Sequence, residues 1–257
     1  FLGDTADVTG MGLGNKFLMV MGGGQLELHG QRREDLSWTV LRRNSTPGAI
    51  VIETAEPSNW RIGDHIAIAP SGTKGVRAEE RVITDIDGNL IRLDQPLQFA
   101  HFGSIDTVEG VVMDMRAEVG LLTRNIRLQG DAGSEAQKLG GHVMILNGST
   151  ARVEGVEFYR MGWFGRGGRY PMHWHFSNAS YGEYARNNSI HRSYHRGIVV
   201  HGTQGVMAND NVAYDVFSHC FFVSEDGNEY DNVFERNLGM LTRRIPSALA
   251  TTILVTG

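Results

Sequence analysis

The chain has 257 residues, a formal net charge of −5, 33 glycines and a single cysteine, Cys220. That length holds one extended domain or two smaller ones, the acidic balance argues against general nucleic-acid binding, and one cysteine excludes an internal disulfide. No apolar run reaches the ~18 residues that a membrane-spanning helix needs.

Glycine together with Val, Ile, Asn and Thr favours short strands and tight turns over long helices. The chain opens on Phe1 and shows no secretory leader, which fits a mature or excised segment. Residues 17–104 read as a strand-rich first region. Phe17-Leu18-Met19-Val20 precedes a glycine turn, and Gln25-Leu26-Glu27-Leu28-His29 alternates as a strand does. Further strands are expected around Trp38–Leu41, Ala49–Ile52 and His65–Ile68, and Asp87-Gly88-Asn89 marks a hairpin before Leu90–Leu93. His29, His65 and His101 stand alone and are expected to be structural or surface histidines. Residues 105–257 form the second region. Arg116–Asp131 is the junction, with Asn125–Leu128 as an early strand; 132–141 is a loop and His142–Leu146 a strand.

From there the chain repeats. Asn188 to His201 and Asn211 to Ser224 are each 13 residues, and Asn188, Asn211 and Asn232 follow at intervals of 23 and 21. A period of this size is the mark of a solenoid rung. The fold class expected is therefore all-β, a right-handed parallel β-helix preceded by the strand-rich region. The three asparagines are expected to stack their amides at equivalent turns. The apolar tail, Ala248–Val255, would expose strand edges, so further protein or a partner is expected to cover that end.

The most informative stretch is Tyr170-Pro171-Met172-His173-Trp174-His175-Phe176. Its period of two sends Met172, Trp174 and Phe176 to the core and His173 and His175 to the outside, ~7 Å apart along the strand. Rungs stack at ~4.8 Å, so His175, His201 and Ser224 fall in one outward column with His173 beside them. Glu225 and Asp226 follow directly. The rung before the histidines is longer, and its extra residues, Trp163–Arg169, form a Gly- and Arg-bearing loop expected to wall a groove. Between Arg160 and His201 lie six arginines and one acid, Glu183. A basic surface on an acidic chain suggests an anionic ligand.

The segments GGGQLELHG and NWRIGDHIAIAP and the stretch from Glu79 to His101 resemble the G8 domain. RAEVGLLTRNIRLQGD, VEFYRMG, GRYPMHWHF, GIVVHGT and SEDGNEYDN are similar to the parallel β-helix that follows it in the cell-migration-inducing and transmembrane hyaluronidase-type proteins and in fibrocystin and its relatives. The resemblance runs from about Val20 to Leu241. It implies an extracellular or cell-surface protein and, in one branch, depolymerisation of hyaluronan; the fibrocystin branch leaves a non-catalytic adhesion module open.

On that basis an anionic, uronate-containing polysaccharide is the expected partner. Glu225 or Asp226 is the candidate general acid or base, with His175 and His201 at the same site. Arg166, Arg169, Arg192 and Arg196 are candidates to pair with uronate carboxylates, beside Trp163 of the loop. His173, His175 and His201 are candidate ligands for zinc, manganese or iron; calcium is the alternative, on the oxygens of Glu225 and Asp226. Without a metal, neutral imidazoles would shuttle protons or hydrogen-bond sugars. Hydrolysis, elimination and binding without cleavage all remain open at this level.

Overall fold

The computed structural model describes residues 1–4, 6, 9–10, 12–31, 34–224 and 227–246. The chain divides into two compact units: Phe1–Arg33 with Arg124–Gly257, and Glu34–Thr123.

The first unit is a parallel β-helix with three five-stranded sheets, each rung giving one strand to each sheet. The first sheet stacks Phe17–Val20, His142–Leu146, Met172–Ala179, Ile198–Gln204 and Phe221–Val223. The second stacks Gln25–His29, Thr150–Glu154, Tyr184–Arg186, Met207–Asn209 and Val233–Glu235. The third stacks Ile126–Gln129, Val156–Tyr159, Ser189–Ser193, Val212–Phe217 and Leu238–Arg243. Inward side chains meet in register: Ile145 pairs with Trp174 and Trp174 with Val200, while Phe158 pairs with Ile190 and Ile190 with Ala213. Trp174 is fully buried, and its indole N–H donates to the buried carboxylate of Glu183 at 2.8 Å. Glu183 also accepts from the Ala151 N–H at 2.8 Å, so the one acid of the basic window is spent inside the coil.

The second unit is a six-stranded antiparallel sheet in the order Trp38–Val40, Glu118–Leu121, His65–Ile68, Glu79–Asp87, Leu90–Leu93, Val51–Glu53. Its core is Leu41, Ile52, Trp60, Ile66, Ile68, Ile83, Ile91, Leu93, Val119 and Leu121. The expected hairpin is present, with Asp87 pairing with Leu90 across Gly88 and Asn89. His101 is structural: one ring nitrogen lies 2.7 Å from the Ala69 carbonyl and the other 3.0 Å from Glu79.

The observed division differs from the one expected between residues 104 and 105. Phe17–Val20 is a short apolar run and Gln25–His29 alternates like any half-buried strand, yet they pair in parallel with His142–Leu146 and Thr150–Glu154. The first rung of the coil is thus built from both ends of a long excursion. A short helix, Gly133–Gln137, sits in the stretch read as a loop. The apolar tail after 246 lies outside the described residues.

Two local expectations are corrected. The asparagine ladder runs Asn188–Asn211–Asn237, not through Asn232: the Asn188 amide donates to Asn211 at 3.0 Å and the Asn211 amide to Asn237 at 2.9 Å. Asn232 caps a different turn, accepting from the Val206 N–H at 2.9 Å. The final rung is longer, and equal spacing picked the wrong residue. Phe176, expected in the core, is 49 % exposed. The pairing slips between His175 and Asn178 and Phe176 adopts φ 49°, so the alternation inverts and Ser177 goes inside, its hydroxyl donating to the Ile145 carbonyl at 2.8 Å.

Asn211 accepts from the Asn188 backbone N–H at 3.1 Å and donates to the Ala185 carbonyl at 2.9 Å, both in a dry interior. Asn211→Ala strips several buried groups of partners at once and is expected to cost roughly 3 kcal/mol in a denaturant titration. Asn232→Ala, at a part-buried turn, should cost less. Burial also holds His142 and His195 down to about 4 from an ordinary 6.5. Between pH 6.5 and 4 the unfolded chain takes up protons that the folded chain refuses. Their stabilisation is therefore complete above the upper limit and is lost as pH falls through the window. Thermal melts across that range should show the loss, and His142→Gln with His195→Asn should reduce it, the part owed to the other buried histidines remaining.

Candidate functional site

The slip in pairing that turns Phe176 outward leaves the register just before it intact: His175 stands against His201, and His173 against Val199. The three imidazoles come together. His175 and His201 face each other with their Nδ1 atoms 3.1 Å apart, and the ring of His173 is parallel to that of His201 at 6.1 Å. One nitrogen from each of the three lies within 4.8 Å of the others. They line a cleft of about 300 Å³ in the β-helix unit, together with Gly167, Gly168, Arg169, Tyr170, Arg196, Phe222 and Ser224.

His173 is buried, and its Nδ1 lies 3.2 Å from the Gly168 carbonyl, which fixes the proton on that nitrogen. Its Nε2 is buried without a hydrogen-bond partner. Burial, then the charges of the neighbouring histidines, holds His173 well below the usual imidazole value. Burial likewise lowers His175, followed by His201 and Arg169. Both are therefore neutral, with lone pairs to offer. Two nitrogens on one ion at ~2.1 Å lie no more than ~4.2 Å apart. The 3.1 Å pair meets that limit, and the His173 nitrogen lies within 4.8 Å of both. An orphaned lone pair in an all-imidazole set fits zinc, manganese or iron, not an oxygen-seeking calcium.

Two arginines flank the histidines. The Arg196 guanidinium lies 3.7 Å from the Phe222 ring centroid, donates to the Tyr170 hydroxyl at 3.3 Å, and keeps a buried Nε with no partner. Arg169 comes from the loop expected to wall the groove, anchored by its bonds to the carbonyls of Gly12 and Gly167. The remaining candidates are elsewhere. Arg166 is exposed on the loop and does not line the cleft. Arg192 belongs to the third sheet, a different face of the coil. Trp163 is buried under the loop, its indole donating to the Gly140 carbonyl at 2.6 Å, so it offers no aromatic surface to a ligand. Glu225 and Asp226 lie outside the described residues. Among the described acids, Glu229 comes near, its carboxylate accepting from the Gly202 N–H at 2.6 Å. Tyr170 and Phe222, missed in the sequence, hold the arginine; their only sequence signal is adjacency to the histidine strand and to Cys220.

A family description, CEMIP beta-helix, matches residues 138–254, and a second, G8 domain, matches residues 1–42. The chain belongs to this G8 and CEMIP-type β-helix family. Within the family it is 32 % identical to a G8 domain-containing protein of Dictyostelium discoideum over 96 % of this chain and 21 % of that one. It is 33 % identical to fibrocystin-L of Mus musculus over 88 % of this chain and 6 % of that one. It is 36 % identical to cell surface hyaluronidase CEMIP2 of Homo sapiens over 72 % of this chain and 15 % of that one. The chain thus spans less than a quarter of the length of each of these relatives. Among solved structures, the tailspike protein gp49 of Pseudomonas phage LKA1 aligns at 13 % identity and a TM-score of 0.29, over 86 % of this chain and 42 % of that one. A superposition so loose carries no functional weight.

The backbone beside His201 depends on one glycine. Gly202, next to His201, has φ 57°, and a Cβ there would fall 2.3 Å from Cδ1 of Phe176. Gly202→Ala adds a clash to a strained backbone and is expected to cost roughly 2–3 kcal/mol. Gly182→Ala, with φ 86° and open space around it, should cost only the strain. Paired thermal melts separate the two.

Proposed function

We propose that this chain is the β-helix region of an extracellular or cell-surface protein that cleaves an anionic, uronate-containing polysaccharide such as hyaluronan. The observation that carries the reading is the trio His173, His175 and His201, with a buried unpartnered nitrogen, set between the guanidinium groups of Arg169 and Arg196. Kinship with a protein named a cell surface hyaluronidase supports it. A polymer carrying a carboxylate on alternate sugars matches a cleft with two cations on its walls.

In this reading Arg169 and Arg196 clamp the uronate carboxylate and orient the sugar over the histidines. Arg196, stacked on Phe222, is held rigid for that task. Without a metal, His175, kept neutral, would accept a proton at its lone-pair nitrogen. A divalent ion held by the three imidazoles would act as a Lewis acid on an oxygen at the cleft. Hydrolysis needs in addition a carboxylic acid to protonate the leaving oxygen, and Glu225 or Asp226, directly after Ser224 in the chain, takes that role. Elimination is the second choice, with an imidazole removing the proton beside the neutralised carboxylate.

A non-catalytic glycan-binding module is the competing reading, favoured by the similarity to fibrocystin-L and by the absence of a carboxylate among the described residues that line the cleft. Incubating the protein with hyaluronan and supplied zinc or manganese separates them. Cleavage predicts shortened chains on size exclusion, loss with chelator, and at least ~100-fold lower rates in His173→Ala and His201→Ala, with metal content falling in parallel. Arg196→Ala should raise KM by roughly 10- to 100-fold. Absorbance from unsaturated uronate in the products would move the assignment from hydrolase to lyase. Retention of hyaluronan without any shortening would overturn the enzymatic reading.

A further inference from the structure

Two large aromatic rings stand on the surface of the β-helix unit, the first of them against the histidines, and both are fixed in place. Phe176 is 49 % exposed and Tyr181 60 % exposed. A bulky residue at positive φ is uncommon, and it persists where the surroundings enforce it. Phe176 sits at φ 49°, its ring over Gly202 and 4.4 Å from the ring of His201. Tyr181 rests in the same way on Gly205, where a Cβ would lie 2.5 Å from its Cδ1. Its hydroxyl donates to the carboxylate of Asp231 at 2.7 Å, which pins the ring flat on the glycine. The backbone of the same turn is tied down by the Gly205 N–H donating to the Tyr230 carbonyl at 3.3 Å. Gly202 lies within the strand Ile198–Gln204 and Gly205 directly follows its end, so the two rings succeed one another along the chain from His201.

Burying either ring would be favourable, and two rings held open on glycines, one after the other from the histidines, offer a rigid apolar surface for a ligand to cover. The aromatic faces carry partial negative charge and suit the polarised C–H groups on the flat side of a pyranose ring. Rigid aromatics also offer that contact at low entropic cost.

We infer that Phe176 and Tyr181 form a stacking platform for successive sugar rings of the polysaccharide whose carboxylates are met by Arg169 and Arg196. The inference rests on the glycan reading of the cleft and adds a direction to it: the polymer leaves the histidines along the strand, over Gly202 and then Gly205. The platform adds affinity in proportion to ligand length, because only a longer oligosaccharide reaches Tyr181.

The test is calorimetric titration of the full chain with a size-graded series of hyaluronan oligosaccharides, with zinc or manganese supplied. The wild type should gain affinity with oligomer length. Tyr181→Ala should lose roughly 3- to 10-fold for the longer oligomers and little for the shortest, whereas Tyr181→Phe, which keeps the ring and loses its tie to Asp231, keeps most of the gain. Phe176→Ala should weaken all lengths that pass the cleft, and Phe176→Tyr should restore them. Since Phe176 touches His201, metal content and melting temperature are measured on each variant, and Tyr181, whose ring rests on a glycine, carries the decisive comparison. Length-dependent binding that survives in Tyr181→Ala overturns the platform and leaves the glycan reading standing. No binding of any oligosaccharide by the wild type overturns both.

Discussion

The parallel pairing of Met172–Ala179 with Ile198–Gln204 is the interaction on which the site depends. Its register is held from inside by Trp174, which stacks between Ile145 and Val200 and is tied by its indole to Glu183. Because strand side chains alternate, a slip of one residue would turn His175 inward and Trp174 out to water. A fully buried tryptophan makes such a slip prohibitive, since removing one from a core costs about 3–5 kcal/mol. The same lock that stabilises the coil therefore aligns His175 with His201.

The irregularity one residue later is as important as the regularity before it. Had the alternation continued, Phe176 would have filled the core and the histidines would have ended on a plain strand. The bulge instead sends Ser177 inside and Phe176 out against His201. Bulges are common next to functional sites because they re-aim side chains without disturbing the rest of a sheet. The loop bearing Arg169 closes one side of the cleft.

Much of this could be read in the chain beforehand, and the failures have physical causes. The 13-residue spacing located the column of His175, His201 and Ser224, because a strand alternates by two and rungs add in register. Spacing failed at Asn232, since the last rung takes extra residues and the ladder passes to Asn237. It failed at Phe176, since no local signal marks where pairing slips. Arg192 and Trp163 were drawn into the site by composition alone. The coil then put Arg192 on another face and sank Trp163 beneath its loop, where its N–H finds the Gly140 carbonyl. The strands near residues 17–29 carry no mark of which distant strands they pair with, and only contact with 142–154 assigns them to the coil.

Sequence alone determined the all-β solenoid, the outward histidine pair and its alignment with His201, because period and composition are local properties that survive any packing. The tertiary structure decided which arginines share a cleft with them, that His173 keeps a buried lone pair, and that Phe176 and Tyr181 lie open. Those outcomes depend on which rungs stack and where their pairing slips, and such long-range contacts are made only when the chain coils.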